Sequence, residues 1–360
     1  MKYIDSGYTK FKRQWGYRYR NFRYNMTPLR FLNTTLAQLT HKSRPAYLNY
    51  YPRILSLELT NICNLKCVCC PTDAWSTKRK RGMLSYENFV KIMDEVKDKC
   101  VTVILSANGE SFLNPDVFKM IRYLTDNRIG SIIHTNFNLP KPGYVDKMLD
   151  AGLQHLILSI DGASEETYSA YRRGGDFNKV IANVKELIEK RKKRGLKLPF
   201  AAWQFIVMKQ NEHEIDKARR MAKEIGVDDL IFDNPFIPSA NAWLFDEERK
   251  DVDTALEKML PEKRVANFEK GSVLWCFQAY TELHVDYCGN VVPCCVLLEK
   301  DVNMGNIFEK PFDEVWNGEI YINFRKQLKE QGPNSSCAAC VRNHHAFMKS
   351  REQKKELINK

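Results

Sequence analysis

The chain has 360 residues, 44% of them hydrophobic and 28% charged, which suffices for one large domain with a buried core and a smaller second one. No run approaches the roughly 18–20 uncharged apolar residues of a membrane span, and the charged N-terminus is unlike a secretory signal, so we expect a cytoplasmic protein. The net charge of +12 is uneven, because residues 1–50 hold ten Lys or Arg against one Asp and residues 341–360 add +4, which leaves −1 for the remainder. A body without excess cations argues against a nucleic-acid partner.

The middle of the chain alternates short β-type runs with longer helical patterns. We predict strands at Ile54–Thr60, Val101–Ser106, Ser131–Thr135, His155–Asp161, Phe200–Met208 and Asp229–Asp233. Helical patterns separate them, at Tyr86–Lys97, Pro115–Asn127, Gly143–Ala151, Asn178–Arg194 and Glu212–Glu224. Several strands are continuously apolar, as in parallel sheets that are covered on both faces. The alternation predicts an α/β fold with a partial or full (β/α)6 barrel, and a doubly wound open sheet is the alternative.

The domain organisation follows from changes in this pattern. Residues 51–235 carry the strand–helix repeat and form the predicted core domain, after an arm over residues 1–50. Residues 236–272 break the repeat and are predicted to form a bridging segment. Residues 273–345 form a small Cys-rich module with turn signals and a short helix in the sequence FDEVWNG, and residues 346–360 form a basic tail.

Eleven cysteines are many for a cytosolic protein, where disulfides are disfavoured, so closely spaced cysteines indicate metal or redox chemistry. Cys63, Cys67 and Cys70 follow the first predicted strand, at the edge where α/β folds place their active sites. Three thiolates can hold three irons of a [4Fe–4S] cluster and leave the fourth iron open to a ligand. A zinc site is the alternative, although zinc prefers four ligands and paired C-x2-C units.

The loop LTNICNLKCVCCP resembles the cluster loop of the radical S-adenosylmethionine (SAM) superfamily. The resemblance spans residues 53–233 and implies a TIM-like barrel in which the open iron binds the amino and carboxylate groups of SAM. One electron then cleaves SAM, and a 5′-deoxyadenosyl radical removes a hydrogen atom from the substrate. Cys69 stands where the family usually has a large or aromatic residue, so we do not count it as a ligand.

The same resemblance implies SAM contacts at the ends of the later strands. Asn108-Gly109-Glu110 follows the second strand and resembles the family's Gly-Gly-Glu motif, so Glu110 would accept a hydrogen bond from the SAM amino group. Arg172 would pair with the SAM carboxylate. The other predicted contacts are Thr135, Asn136, Ser159, Asp161, Gln204 and Met208. For the contacts beyond the Gly-Glu motif, a purely structural polar or apolar role is the alternative.

A second group of cysteines, Cys276, Cys294, Cys337 and Cys340, could bind zinc or a [4Fe–4S] cluster on spacing alone. This stretch resembles the SPASM/twitch module of radical SAM enzymes, in the form that carries one auxiliary cluster. Ligation by all four thiolates would leave no open iron, which favours electron transfer over substrate binding. The remaining cysteines are interpreted as packed or surface thiols: Cys100, Cys288 and Cys295.

Two clusters together suggest an oxidation. The auxiliary cysteine spacing resembles that of twitch-containing aminocyclitol dehydrogenases, which implies removal of a hydrogen atom beside a hydroxyl group and transfer of a second electron to the auxiliary cluster. We therefore predict an oxidoreductase acting on a sugar, cyclitol or lipid-linked alcohol, reduced by a flavodoxin or ferredoxin. A SPASM-type peptide-modifying enzyme and a non-catalytic iron–sulfur electron carrier are the alternatives. The sequence identifies no general base.

The N-terminal arm interleaves basic and aromatic residues. Aromatic residues recur at spacings of three and four and could share one helical face: Tyr8, Phe11, Trp15, Tyr19 and Phe22. Three interpretations stay open, namely peripheral contact with an anionic membrane, contact with RNA, and aromatic capping of the open side of the barrel.

Overall fold

The structure, a computed structural model, describes residues 24–40, 43–68, 70, 79–139, 141–233, 278–294 and 302–330. A sheet of eight strands runs through these ranges. Its strands are β1 (Ile54–Leu57), β2 (Thr102–Ile104), β3 (Gly130–Thr135), β4 (His155–Ser159), β5 (Phe200–Ile206), β6 (Asp229–Asp233), β7 (Glu282–Val285) and β8 (Val291–Val292). The α-helices are α1 (Pro28–Thr40), α2 (Tyr86–Val96), α3 (Val117–Asp126), α4 (Tyr144–Ala151), α5 (Glu165–Tyr171), α6 (Phe177–Lys193), α7 (Ile215–Ile225), α8 (Gln278–Thr281), α9 (Phe312–Trp316) and α10 (Glu319–Glu330).

The order of the strands decides between the two predicted architectures. It is β6-β5-β4-β3-β2-β1-β7-β8, so the first six strands lie side by side in chain order, and all of them are parallel. A doubly wound sheet reverses its order at a switch point, and this sheet does not. Right-handed crossovers without a reversal put the connecting helices on the same face, as in a barrel. The barrel-type α/β fold is confirmed, and the doubly wound alternative is wrong.

Each strand divides its residues between two faces. Residues such as Val103, Leu156 and Trp203 are fully buried in the core that the helices cover. The residues between them point to the helix-free face, which we call the lumen, and most of these are only partly buried. The lumen therefore holds open space lined by strand side chains.

Helix starts are set by local side chains. Ser85, Ser164 and Asp176 precede α2, α5 and α6, and each side-chain oxygen accepts a hydrogen bond from the backbone N–H three residues later. These caps satisfy N–H groups that have no partner within the helix. They end the loops that follow strands and return the chain to the outer face of the sheet.

The structure adds elements that the sequence patterns did not predict. β7 pairs with β1 in parallel and β8 pairs with β7 antiparallel, so the sheet continues past the predicted core domain into the Cys-rich module. α1 and α5 were also not predicted, and the pattern at Glu212–Glu224 begins with a 3-10 turn before α7. The helix predicted in FDEVWNG is confirmed as α9. No helix in the described ranges is both long and apolar enough to cross a bilayer.

Several predicted features lie outside the described residues. They are the bridging segment 236–272, the tail 346–360, the aromatic residues Tyr8–Phe22, and the cysteines Cys69, Cys276, Cys295, Cys337 and Cys340.

Candidate active site

The predicted cluster loop lies directly after β1, at the carboxyl edge of the parallel strands. Cys67 is buried, and Cys63 and Cys70 are partly buried. Loss of solvation raises the pKa of Cys63 to about 12 and that of Cys67 to about 11. Thiols that resist ionisation by themselves suit a site in which bound cations hold them as thiolates.

Hydrogen-bond donors surround two of these sulfurs. The Leu65 N–H and the Asn136 side-chain amide reach Cys63 Sγ at 3.4 and 3.8 Å, and Arg172 Nη1 lies 3.7 Å from Cys67 Sγ. Such donors stabilise thiolate ligands and tune the cluster that the thiolates hold. No group of three or more His, Cys, Asp or Glu side chains among the described residues is gathered for a single metal ion. Besides burial, the neighbouring thiols of the loop raise the pKa of Cys63 and that of Cys67. The three thiols of the loop therefore lie close together, and thiolates grouped in this way fit an iron–sulfur cluster.

The backbone of the loop is tied to the turn after α5. The Lys66 N–H donates to the Arg173 carbonyl at 2.9 Å, and the Val68 N–H donates to the Tyr171 carbonyl at 3.0 Å. These bonds flank Arg172, so the same turn positions the loop and delivers the guanidinium group to Cys67. From the sequence YRRGGDF, only a role for the Arg172 guanidinium group was predicted, and not the role of the turn in holding the loop.

Gly109 lets the turn after β2 approach the cluster loop closely. Its φ is +71°, and a Cβ at this position would lie 2.3 Å from the Thr60 carbonyl oxygen and 2.7 Å from that of Ile62. The next residue, Glu110, donates its N–H to the same Ile62 carbonyl at 2.9 Å. Only glycine accommodates both the backbone conformation and the contact.

Glu110 is buried at the centre of the site and accepts three hydrogen bonds. Oε1 accepts from the Phe112 N–H at 3.2 Å and from the Thr135 hydroxyl at 2.9 Å, and Oε2 accepts from the Asn136 N–H at 2.9 Å. Burial raises the pKa of Glu110, and these donors counteract the rise. Because Oε2 takes only one of the three bonds, it keeps capacity for a further donor such as an ammonium group.

Thr135 and Asn136 were predicted to contact SAM, and the structure shows them supporting other site residues. The Thr135 hydroxyl donates a hydrogen bond to Glu110 Oε1. The Asn136 amide donates to Cys63 and, at 2.9 Å, to the Asn64 side chain. These bonds position Glu110 and Cys63, and contact with SAM stays a prediction for both residues.

Asp161 and Arg172 form a buried ion pair. Arg172 Nε and Nη2 lie 2.7 and 2.6 Å from Asp161 Oδ2, while Oδ1 accepts the Ile206 N–H at 2.7 Å. Burial raises the pKa of Asp161, and the guanidinium counteracts it. One arginine thus joins the end of β4 to the cluster loop.

The remaining predicted SAM contacts spread along the carboxyl edge. Ser159 and Gln204 are paired neighbours on β4 and β5 and face the lumen. Gln204 Nε2 donates to Asp233 Oδ2 at 2.9 Å. Met208 is buried just after β5, and Asn108 is partly exposed beside the Gly-Glu turn.

The lumen is lined by isoleucines interleaved with polar side chains, since His155 pairs with Ile132 and Asp229 lies two strands from Ile157 on the same face. Five isoleucines from five neighbouring strands are partly exposed to it and lie outside the helix-covered core: Ile104, Ile132, Ile157, Ile206 and Ile231.

His134 and Asp233 join Gln204 at the polar rim of the lumen, and the sequence analysis missed both. Burial lowers the pKa of His134 to about 4, and Asp233 counteracts this. The sequence signal that could have identified them is the occurrence of polar residues at alternate positions of otherwise apolar strands.

The described part of the second cysteine group is small. Cys294 is buried just after β8, and Cys288 is exposed in the hairpin turn between β7 and β8. Cys100 is fully buried in the core, as predicted. The ligand set Cys276, Cys294, Cys337 and Cys340 stays a prediction.

Comparisons with known proteins agree with this geometry. Residues 57–228 match the family model described as the radical SAM superfamily, and residues 276–341 match the SPASM model, described as an iron–sulfur cluster-binding domain. The first match begins within β1 and ends just before β6.

Similar proteins span most of the chain. An AdoMet-dependent heme synthase of Methanosarcina barkeri is 29% identical over 80% of this chain and 88% of its own. A mycofactocin maturase of Mycobacterium ulcerans is 24% identical over 80% of each chain. The crystal structure of Streptococcus suis SuiB superposes with a TM-score of 0.59 at 18% identity, over 82% of this chain and 72% of that one.

Proposed function

The chain belongs to the radical SAM superfamily and carries a SPASM iron–sulfur domain, and from that premise we propose that it oxidises an apolar part of its substrate inside the barrel lumen. Its cofactors are [4Fe–4S] clusters and SAM, which when bound supply the radical that removes a hydrogen atom from the substrate. An auxiliary cluster, which Cys276, Cys294, Cys337 and Cys340 would hold, would accept the second electron when the substrate also loses a proton.

Each site residue has a defined task in this proposal. Cys63, Cys67 and Cys70 hold the cluster that binds SAM, and Arg172 donates to one of these sulfurs. Glu110 receives the SAM amino group on its remaining acceptor capacity. The substrate occupies the lumen beside them, within reach of the polar rim.

The observation that carries the proposal is the isoleucine lining. A sugar or cyclitol presents hydroxyl groups around its whole ring, and each one buried without a partner costs roughly 1–3 kcal/mol. Isoleucine side chains offer no partner, so hydroxyl groups placed beside them would stay unpaired. The lumen therefore favours a substrate that inserts an apolar group among the isoleucines, and it disfavours the sugar or cyclitol expected from the cysteine spacing.

The named relatives support the same choice. They include a heme synthase, a mycofactocin maturase and a protein of subtilosin bacteriocin biosynthesis, and SuiB has been solved with a precursor peptide. A peptide side chain or a tetrapyrrole substituent would each place an apolar group in the lumen. A flavodoxin or ferredoxin would supply the electron that starts the reaction.

The test uses the full chain, reconstituted anaerobically with iron and sulfide and then reduced. We expect about eight irons per chain and 5′-deoxyadenosine that rises with an apolar peptide or a porphyrin, together with a substrate product lighter by two hydrogens. An aminocyclitol that alone stimulates turnover would restore the small-alcohol function. If reduced protein with both clusters cleaves no SAM, the electron-carrier alternative stands.

A lumen variant sharpens the test. Ile157→Asn should lower substrate-stimulated turnover at least roughly tenfold while leaving SAM binding unchanged, because it places an unpaired amide against the apolar group. The matched control is Ile320→Asn, since Ile320 is exposed on α10 and lies on no strand of the barrel. Equal activity of both variants would contradict the lumen as the substrate site.

A further inference from the structure

Helix α1 has its polar face buried. Arg30, Asn33 and Thr34 are buried against the barrel. The Arg30 guanidinium donates to the carbonyls of Lys97 at 2.6 Å, Arg128 at 2.6 Å and Asn127 at 3.0 Å, which lie at the C-terminal ends of α2 and α3. Carbonyls at helix ends lack partners within the helix and carry partial negative charge, so the cation satisfies two helix ends at once.

The opposite face of α1 is apolar and exposed. Leu29, Phe31, Leu32 and Leu39 are 57%, 57%, 56% and 74% exposed, and the helix has no charged residue besides the buried Arg30. An ordinary surface helix buries its apolar face and exposes its polar one. This helix does the reverse, and a contiguous exposed apolar face marks an interaction surface.

The position of α1 on the barrel is set by two asparagines. Asn25, just before the helix, exchanges two hydrogen bonds of 3.1 Å with Gln154, which precedes β4. Asn33 donates to the carbonyl of Lys99, which precedes β2, at 3.1 Å. The helix therefore lies at the amino edge of the sheet, opposite the carboxyl edge that carries the cluster loop.

We propose that the outward face of α1 docks on an anionic bilayer surface. The sequence on either side of the helix is strongly basic, since residues 1–23 contain seven Lys or Arg and one Asp, and Lys42 and Arg44 follow. Apolar side chains entering the headgroup region next to clustered cations and aromatic residues are typical of peripheral membrane proteins. A second copy of the chain would bring an equally basic flanking sequence, and like charges disfavour that pairing.

Docking through this edge has a consequence for the site. The cluster loop and the lumen rim would face away from the bilayer, towards water. The substrate would then arrive from the aqueous side rather than from the lipid. This inference does not depend on which substrate the lumen accepts.

The test is flotation of the full-length, cluster-loaded protein with vesicles. Wild type should float with vesicles of equal parts phosphatidylcholine and phosphatidylglycerol, float poorly with phosphatidylcholine alone, and lose binding as salt is raised, because salt screens surface charge. The double variant Leu32→Glu/Leu39→Glu should bind anionic vesicles at least about a hundredfold more weakly, since two leucines no longer enter the lipid. Leu32 and Leu39 are both exposed, so the fold of the double variant should be unaffected. The matched control is Ile320→Glu on α10, where the wild-type side chain is 57% exposed, and it should bind like wild type.

Other results would overturn the proposal. Wild type that fails to float with anionic vesicles leaves α1 without a lipid partner. If the double variant still binds the vesicles, the lipid contact lies elsewhere on the protein. If instead the double variant converts a wild-type dimer to a monomer by light scattering, the apolar face joins two copies of the chain.

Discussion

Arg79 forms a two-pronged ion pair with the fully buried Glu58, with Nη1 and Nη2 at 3.0 and 2.6 Å from its two carboxylate oxygens. Nη2 also lies 3.2 Å from Asp286, which follows β7. Asp286 in turn accepts the N–H groups of Cys288 and Asn290 and so shapes the β7–β8 hairpin turn. Arg79 follows the cluster loop in sequence, so this ion triad ties that loop to the start of the iron–sulfur domain.

Removing Arg79 should therefore destabilise the protein strongly. Arg79→Met leaves two acidic groups, one of them fully buried, without this cation, and the loss of one partner of a buried pair costs about 3–5 kcal/mol. Chemical denaturation of the anaerobic protein measures it. Lys119→Met, which breaks an exposed pair with Asp116, should leave the free energy of unfolding nearly unchanged. A further Glu58→Gln exchange should recover part of the Arg79→Met loss, and a strictly additive double variant would mean that the two residues are not coupled.

Two glycines with similar backbones should respond differently to alanine. Gly109 and Gly143 have φ values of +71° and +81°, but a Cβ on Gly143 would meet nothing within 4 Å, whereas one on Gly109 would strike the Thr60 carbonyl. Gly143→Ala should cost about 1 kcal/mol from the backbone alone. Gly109→Ala should cost more and also lower the iron bound after reconstitution, because the cluster loop must shift. Equal iron content in the two variants would count against the close approach.

Arg172 should influence the electronic properties of the cluster. Arg172→Lys keeps the charge but cannot contact Asp161 and Cys67 together, because lysine is a single point donor. If Cys67 ligates the cluster as predicted, loss of the hydrogen bond to its sulfur should shift the cluster midpoint potential to a more negative value, as measured by an EPR-monitored redox titration. Arg173→Lys is the control, since Arg173 is an exposed neighbour whose backbone carbonyl holds the loop. Identical midpoint potentials in the two variants would mean that Arg172 does not influence the cluster.

His134 should stay neutral where an ordinary histidine titrates. Burial lowers its pKa from 6.5 to about 4, so the folded protein binds fewer protons here than the unfolded chain between these two values. The contribution of His134 to stability is therefore present above pH 6.5 and is lost as the pH falls towards 4, by up to roughly 2–3 kcal/mol. NMR of ring-labelled histidine, assigned with His134→Gln, measures the titration directly. A His134 signal that titrates near 6.5 would mean that the ring is fully hydrated.

Much of the site chemistry was readable in the chain because it depends on local spacing. Cys63, Cys67 and Cys70 share one loop, and the Gly109-Glu110 pair follows a strand that sequence periodicity reveals. The strand–helix alternation was readable for the same reason, since handedness and crossover length act within each repeat. The roles of Thr135 and Asn136 were not readable, because they depend on which atoms of Glu110 and Cys63 lie opposite after folding.

The sequence by itself indicated the cofactor loop, the alternation of strands and helices and the concentration of charge in the N-terminal arm, whereas the order of the six parallel strands came from the structure. Only the tertiary structure decided that β7 extends the same sheet and that Arg79 pairs with Glu58 and Asp286. It also decided that isoleucines line the lumen and that α1 exposes its apolar face. The physical reason is separation along the chain. Periodicity and spacing express forces within a few residues, whereas these features depend on which distant backbone carbonyls, carboxylates and strand faces the completed barrel brings together.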